Sequence, residues 1–256
     1  MDAACPWSDD AAMETALLAI AAVVFLAAGA VKGMSGLGLP TLSMALLGLA
    51  MPPAAAAALM VVPSLATNLA QCAGGHWRAL SRRLWPMWTG LSLATVFSPL
   101  PDLGASGSGA QMTLGVVLIA YGLWGSIKPS LPEFGRYAVW FGGVAGVLSG
   151  VLAAATGVFV MPLVPFLQSL RLTSEALIQA LGLSFTVATL ALAIRLGSMG
   201  SFMAVGLPAV SVAVATAFLG LWLGTALRRR LHPSFFQRVL YGAFVILGLV
   251  MICRTT

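Results

Sequence analysis

Residues 33–77 include no Asp, Glu, Lys or Arg, a run of 45 residues. As a single helix, at about 1.5 Å per residue, it would measure roughly 68 Å. That is more than twice the hydrocarbon thickness of a bilayer, about 30 Å. The run therefore has to fold back on itself, and Pro52-Pro53 near its middle marks a place to do so. Further charge-free stretches cover 84–101, 103–127, 137–170, 176–194 and 196–227. Such a chain reads as an integral, polytopic membrane protein in contact with the lipid bilayer.

Composition agrees. The chain is 60% hydrophobic and 8% charged, with a mean hydropathy of +1.00, where soluble domains carry about 25% charged residues. With spans of about 20 residues, 256 residues leave room for eight to ten crossings and no separate soluble domain. The expected fold class is all-α, a polytopic transmembrane helical bundle. The net charge of +6 reads as membrane orientation, because no basic stretch is interleaved with aromatic residues for nucleic acid. Cys5, Cys72 and Cys253 form neither a disulfide framework nor a CxxC pair. Residues 15–31 follow an acidic stretch with no basic n-region, so they are expected to be a first span and not a cleaved signal. No cofactor or metal is implied.

Cutting the apolar runs at Pro, Gly and charge gives ten segments: 13–32, 34–51, 54–74, 85–101, 110–127, 137–155, 157–170, 174–196, 203–227 and 235–253. With an outside N-terminus and a crossing at each segment, the inner loops hold Arg78, Arg82, Arg83, Lys128, Arg136, Arg171, Arg228, Arg229, Arg230 and Arg238. The outer side keeps Arg195 and Arg254, an asymmetry of the expected sign for an inner membrane. The short segments 34–51 and 157–170 are the weak points of a ten-span count: a re-entrant helix at either lowers it, and if neither crossed the repeat would be parallel, with the arginines at 78–83 and 228–230 on opposite sides, against the inner-side bias.

The chain also divides into two alike halves, 1–130 and 131–256. GAVKGMSGLGLPTLSMALLG (29–48) in the first is answered by GVLSGVLAAATGVFVMPLVPFL (146–167) in the second. Setting Pro40 beside Pro162 aligns Ala58 with Ala180 and puts Ala154 opposite Lys32. Five crossings per half make the copies inverted, an arrangement common in secondary transporters.

Both halves carry a Gly/Ser/Thr break followed by a helix with an early proline. A helix start has unpaired N–H groups and partial positive charge, so two facing starts would hold an anion. The candidate site residues are Lys32, Gly33, Ser35, Gly36, Gly38 and Pro40 in the first break and Thr156, Gly157 and Pro162 in the second. Asn68 and Ser184 add polar groups from the following helices, with Gln71, Gln179 and Thr186 nearby. The competing readings are structural: glycines for close helix packing, Lys32 and Arg195 snorkelling to the interface, and the polar groups bonding adjacent helices. Gly33-Met34-Ser35-Gly36 spells the G-x-S-G of rhomboid intramembrane proteases, but His76 and His232 sit in expected loops, so no enzyme is expected.

On these paired glycine-rich starts, each followed by an Ala- and Ser-containing helix, the chain resembles the sulfite exporter TauE/SafE family of membrane permeases across about residues 12–253. The resemblance implies transport of small organic or sulfur-containing anions, such as sulfite or sulfonates, across a bacterial-type inner membrane. The family often shows a G-x-G-G-G run before the proline, where this chain has Gly36-Leu37-Gly38-Leu39-Pro40. The absence of G-x-x-x-x-G-K-[ST] fits a secondary carrier, with the coupling ion and oligomeric state left open. A channel-like anion pore and a non-transporting membrane scaffold are the alternatives.

Overall fold

The computed structural model describes residues 8–98, 108–127, 134–228 and 233–255. Among these residues the chain forms ten α-helices: α1 (Ser8–Ser35), α2 (Leu39–Leu47), α3 (Pro53–Cys72), α4 (Trp77–Phe97), α5 (Ser108–Ile127), α6 (Ala138–Thr156), α7 (Leu163–Ser169), α8 (Ser174–Ser198), α9 (Leu207–Leu227) and α10 (Pro233–Thr255). Two short 3-10 turns precede α6 and α9.

The expected ten segments are all helical, but not all of them can cross as helices. Seven are long and apolar enough to span a membrane: α1, α3, α5, α6, α8, α9 and α10. The eighth long helix, α4, has 21 residues and begins at Trp77, upstream of the expected 85, because its first turns include Arg78, Arg82 and Arg83. The segments expected at 34–51 and 157–170 shrink to 9 and 7 residues. At 1.5 Å per residue these reach only about 14 and 10 Å, so the ten-span count is corrected. Their missing length is taken by the end of α1, by glycine turns and non-helical chain at 36–38 and 157–162, and by a turn at 48–51.

Small residues fix how the long helices meet. A Cβ on Gly29 would lie 2.3 Å from the Ala217 carbonyl oxygen, and one on Gly33 would lie 2.3 Å from that of Leu221. From the other side, Gly220 abuts the Leu26 oxygen and Gly224 the Ala30 oxygen. The numbers rise together, so α1 and α9 run parallel at a backbone separation that a methyl group would close. The pair α4 and α6 repeats this arrangement, with Gly146 against Met87 and Gly150 against Leu91. In α5 and α10 the order reverses: Gly115 meets Gly248 and Gly122 meets Tyr241, so these two are antiparallel.

The C-terminal end of α3 lies against the early turns of α8. Gln179 donates to the carbonyls of Cys72 and Gly74, both at 3.0 Å, and accepts from His76 N–H at 3.0 Å. The outer surface is apolar, with Leu207, Phe97, Trp140 and Trp222 exposed, as a lipid-facing wall requires.

Candidate functional site

The first break ends α1. Ser35 Oγ donates to the carbonyls of Val31 and Leu37, both 2.8 Å away, and accepts from Leu37 N–H at 3.2 Å. Gly36 then turns the chain with φ of +76°, a conformation glycine adopts at no steric cost. Ser35 thus serves its own helix end, which leaves the G-x-S-G sequence without a free nucleophile.

One turn before the break stands Lys32, only 1% exposed. Snorkelling is ruled out by this burial. Its ammonium donates to Thr67 Oγ1 at 3.0 Å and to Asn68 Oδ1. Thr67 can accept because its own proton is directed to the Pro63 carbonyl at 2.8 Å. Gln71 Nε2 donates to the Gly36 carbonyl at 3.2 Å, tying α3 to the turn itself. Ser64, Thr67, Asn68 and Gln71 fall at i, i+3, i+4 and i+7, which puts them on one face of α3, toward the break. On that face Asn68 Nδ2, Gln71 Oε1 and Ser64 Oγ are buried with no hydrogen-bond partner among the described residues. Ser64 and Thr67 did not figure among the expected site residues, although that spacing was readable.

The second break has the same local build. Thr156 Oγ1 donates to the Leu152 carbonyl at 2.7 Å and accepts from Val158 N–H at 3.2 Å, and Gly157 follows with φ of +71°. Its cap bond runs to Ala153, as that of Gly36 runs to Lys32. Ala153, and not Ala154, is therefore the counterpart of Lys32. The prolines misled the alignment because the second break is one residue longer. No charge answers Lys32 there.

Met44 of α2 packs over the second break, 2.9 Å from where a Gly157 Cβ would stand. Over residues 20–251 the chain matches the family described as Sulfite exporter TauE/SafE. The chain belongs to that family. No curated protein and no solved structure matches it. As a TauE/SafE protein it is a multispanning membrane transporter and not an enzyme.

The remaining expected residues of this TauE/SafE transporter divide by position. Gly38 caps α2 and, with Ser35, lines a cavity; Pro40 sits in the first turn of α2. Gly33 faces α9 in a helix contact. Pro162 caps α7, whose Leu163 N–H is already occupied by Ser149 Oγ at 3.0 Å, so this helix start offers less to an anion than expected. Ser184 accepts from Trp88 Nε1 at 2.9 Å, a contact between α8 and α4. Gln179, as described above, holds the loop between α3 and α4. Arg195, expected to snorkel, is 7% exposed and donates to the carbonyls of Thr95, Val96 and Ser98, which closes the C-terminal end of α4.

Proposed function

We propose that this transporter is a secondary carrier that moves small organic or sulfur-containing anions, such as sulfite or sulfonates, by alternating access. The observation that carries the reading is the setting of Lys32. An ammonium has three protons to give, and here two go to the neutral oxygens of Thr67 and Asn68. A buried charge balanced only by neutral groups is costly inside a membrane protein. An anion entering the break supplies the missing charge, and Asn68 Nδ2 supplies a further donor to it. Gly36, where an added Cβ would meet only Gln71 Nε2 at 3.8 Å, and the buried Thr156-Gly157 turn make up the rest of the substrate path.

Two inverted copies, 1–130 and 131–256, are the framework of this proposal. The helix pairings support it. Exchanging the halves carries the parallel pair α1–α9 onto the parallel pair α6–α4, and it carries the antiparallel pair α5–α10 onto itself. The start of α3 adds to this, since Ala50 and Met51 share a cavity with Gly206 and Pro208 beyond the end of α8. Together with the α3 C-terminus lying at the start of α8, this makes α3 and α8 antiparallel. The ends of α1, α5, α7 and α9 and the starts of α8 and α10 surround one cavity. Arg171, Arg228 and Arg238 lie near that face, which we assign to the cytoplasmic side of a bacterial-type inner membrane, with the N-terminus outside.

The test is uptake of sulfite and short sulfonates into proteoliposomes by wild type and Lys32→Met. The expected result is saturable uptake that the substitution slows at least about tenfold, the factor carried by 1.4 kcal/mol, while the protein still inserts and melts as wild type. Unchanged uptake kinetics would remove Lys32 from the substrate path.

A further inference from the structure

We infer that the chamber adjoining the first break is a second anion site, a vestibule in which hydroxyl and amide groups hold a small oxyanion apart from Lys32. The inference rests on the carrier reading above and adds to it residues that neither the repeat nor the breaks point to.

A cavity of about 200 Å³ lies between the break, the ends of α5 and α7 and the start of α10. A second, of about 250 Å³, adjoins it and shares Tyr121, Gln168, Gln237 and Tyr241. These four polar side chains come from three helices and converge on one space. Tyr121 and Tyr241 are hydrogen-bonded to each other and Gln237 has a partner of its own, so it is the donor capacity these groups have left over that the cavity can use. Arg228 also lines the first cavity, and among the described residues no Asp or Glu lines either one, so the field of these residues favours an anion. The break contributes Ser35 and Gly38 to the wall, whereas Lys32 behind it is only 1% exposed. An anion in the chamber therefore stands beside the Lys32 site without touching it, and the break has to move before the ammonium can be reached.

The donors define the ligand. Tyr121 gives its proton to Tyr241, so the Tyr241 hydroxyl, carboxamide N–H groups and a guanidinium at the rim are the donors, and they approach from several directions. A pyramidal or tetrahedral oxyanion presents three or more acceptor oxygens and can meet donors from three helices at once. A planar carboxylate meets fewer. One water needs roughly 10–15 Å³ of such space, so the chamber takes a sulfite ion or a short sulfonate head with part of its hydration. Binding through mostly neutral donors keeps the ion weakly held, so it can move on.

The experiment uses the full chain with labelled sulfite, read both as proteoliposome transport and as equilibrium binding to purified protein. Gln237→Leu and Tyr241→Phe should each raise KM about fivefold, the scale of one lost hydrogen bond, with kcat changed less than about twofold. Lys32→Met protein should still bind sulfite, and adding Gln237→Glu, which keeps the side-chain size but repels anions, should abolish that binding without lowering the melting temperature. Wild-type transport with both KM values unchanged would overturn the vestibule and leave the carrier reading intact. So would loss of all sulfite binding in Lys32→Met. Sulfite binding that responds to Gln237→Glu in a protein that does not transport would overturn the carrier reading and keep the vestibule. A wild type that neither binds nor transports sulfite would overturn both.

Discussion

At the scale of single residues, two glycines of α1 and its break separate two costs of a methyl group. Gly36 has φ of +76°, but the nearest atom to an added Cβ is Gln71 Nε2 at 3.8 Å, so an alanine there fits and is merely strained. That strain is about 1–2 kcal/mol. Gly29 has ordinary helical geometry, but its Cβ would lie 2.3 Å from a backbone oxygen that cannot rotate away. The helices α1 and α9 must then separate, and overpacking of this kind costs about 1–3 kcal/mol or more. Thermal unfolding in detergent should rank wild type above Gly36→Ala and Gly36→Ala above Gly29→Ala. The opposite order would mean that the turn and not the helix contact limits stability.

Much of this scale was legible in the sequence. A lone lysine in an apolar run has to face a partner, water or the interface, and Asn68 is visible as a polar residue two helices later. That Lys32 and Asn68 meet is shown only by the fold. Thr67 and Ser64 were passed over because each, alone, looks like an ordinary membrane-helix hydroxyl bonding its own backbone, as Thr67 does toward Pro63. Only their spacing with Asn68 and Gln71 marks a polar face. Tyr121, Gln168 and Gln237 gave no such signal, since three separate helices bring them together and no local pattern records that.

At the scale of elements, the clearest departure is Arg195. A cation at the end of an apolar segment suits an interface, and local sequence cannot show that the carbonyl end of another helix lies opposite. The guanidinium donates to Thr95, Val96 and Ser98 at 3.0, 3.4 and 3.3 Å, so it bonds backbone acceptors at the negative end of α4. Hydrogen bonds to charged groups contribute about 1.5–3 kcal/mol. Arg195→Met should therefore lower the unfolding temperature and speed hydrogen exchange at residues 91–98, while leaving sulfite KM near wild type. A changed KM with unchanged melting would move Arg195 into the transport path. The half-length helices α2 and α7 were only partly legible. Apolarity continues through 36–38 and 157–162, so composition marks a segment, while the turn glycines inside it decide how much of that segment is helix.

At the scale of the whole molecule, the sequence pattern carried further than at either smaller one. Membrane class, helical fold and family all follow from charge-free runs and paired glycine-rich starts, because a bilayer leaves a polytopic chain few alternatives. The direction of the two halves was argued from counting crossings, and that count changed when α2 and α7 proved short. The inverted arrangement we propose requires each short helix and its extended flank together to reverse the chain. A carrier built this way exposes its site to one side at a time, and a channel does not. Counterflow of labelled sulfite in proteoliposomes preloaded with unlabelled sulfite tests that difference most directly. The account predicts saturable entry with a transient overshoot of label above its equilibrium level, lost in Lys32→Met. Entry that rises linearly with concentration and never overshoots would contradict it.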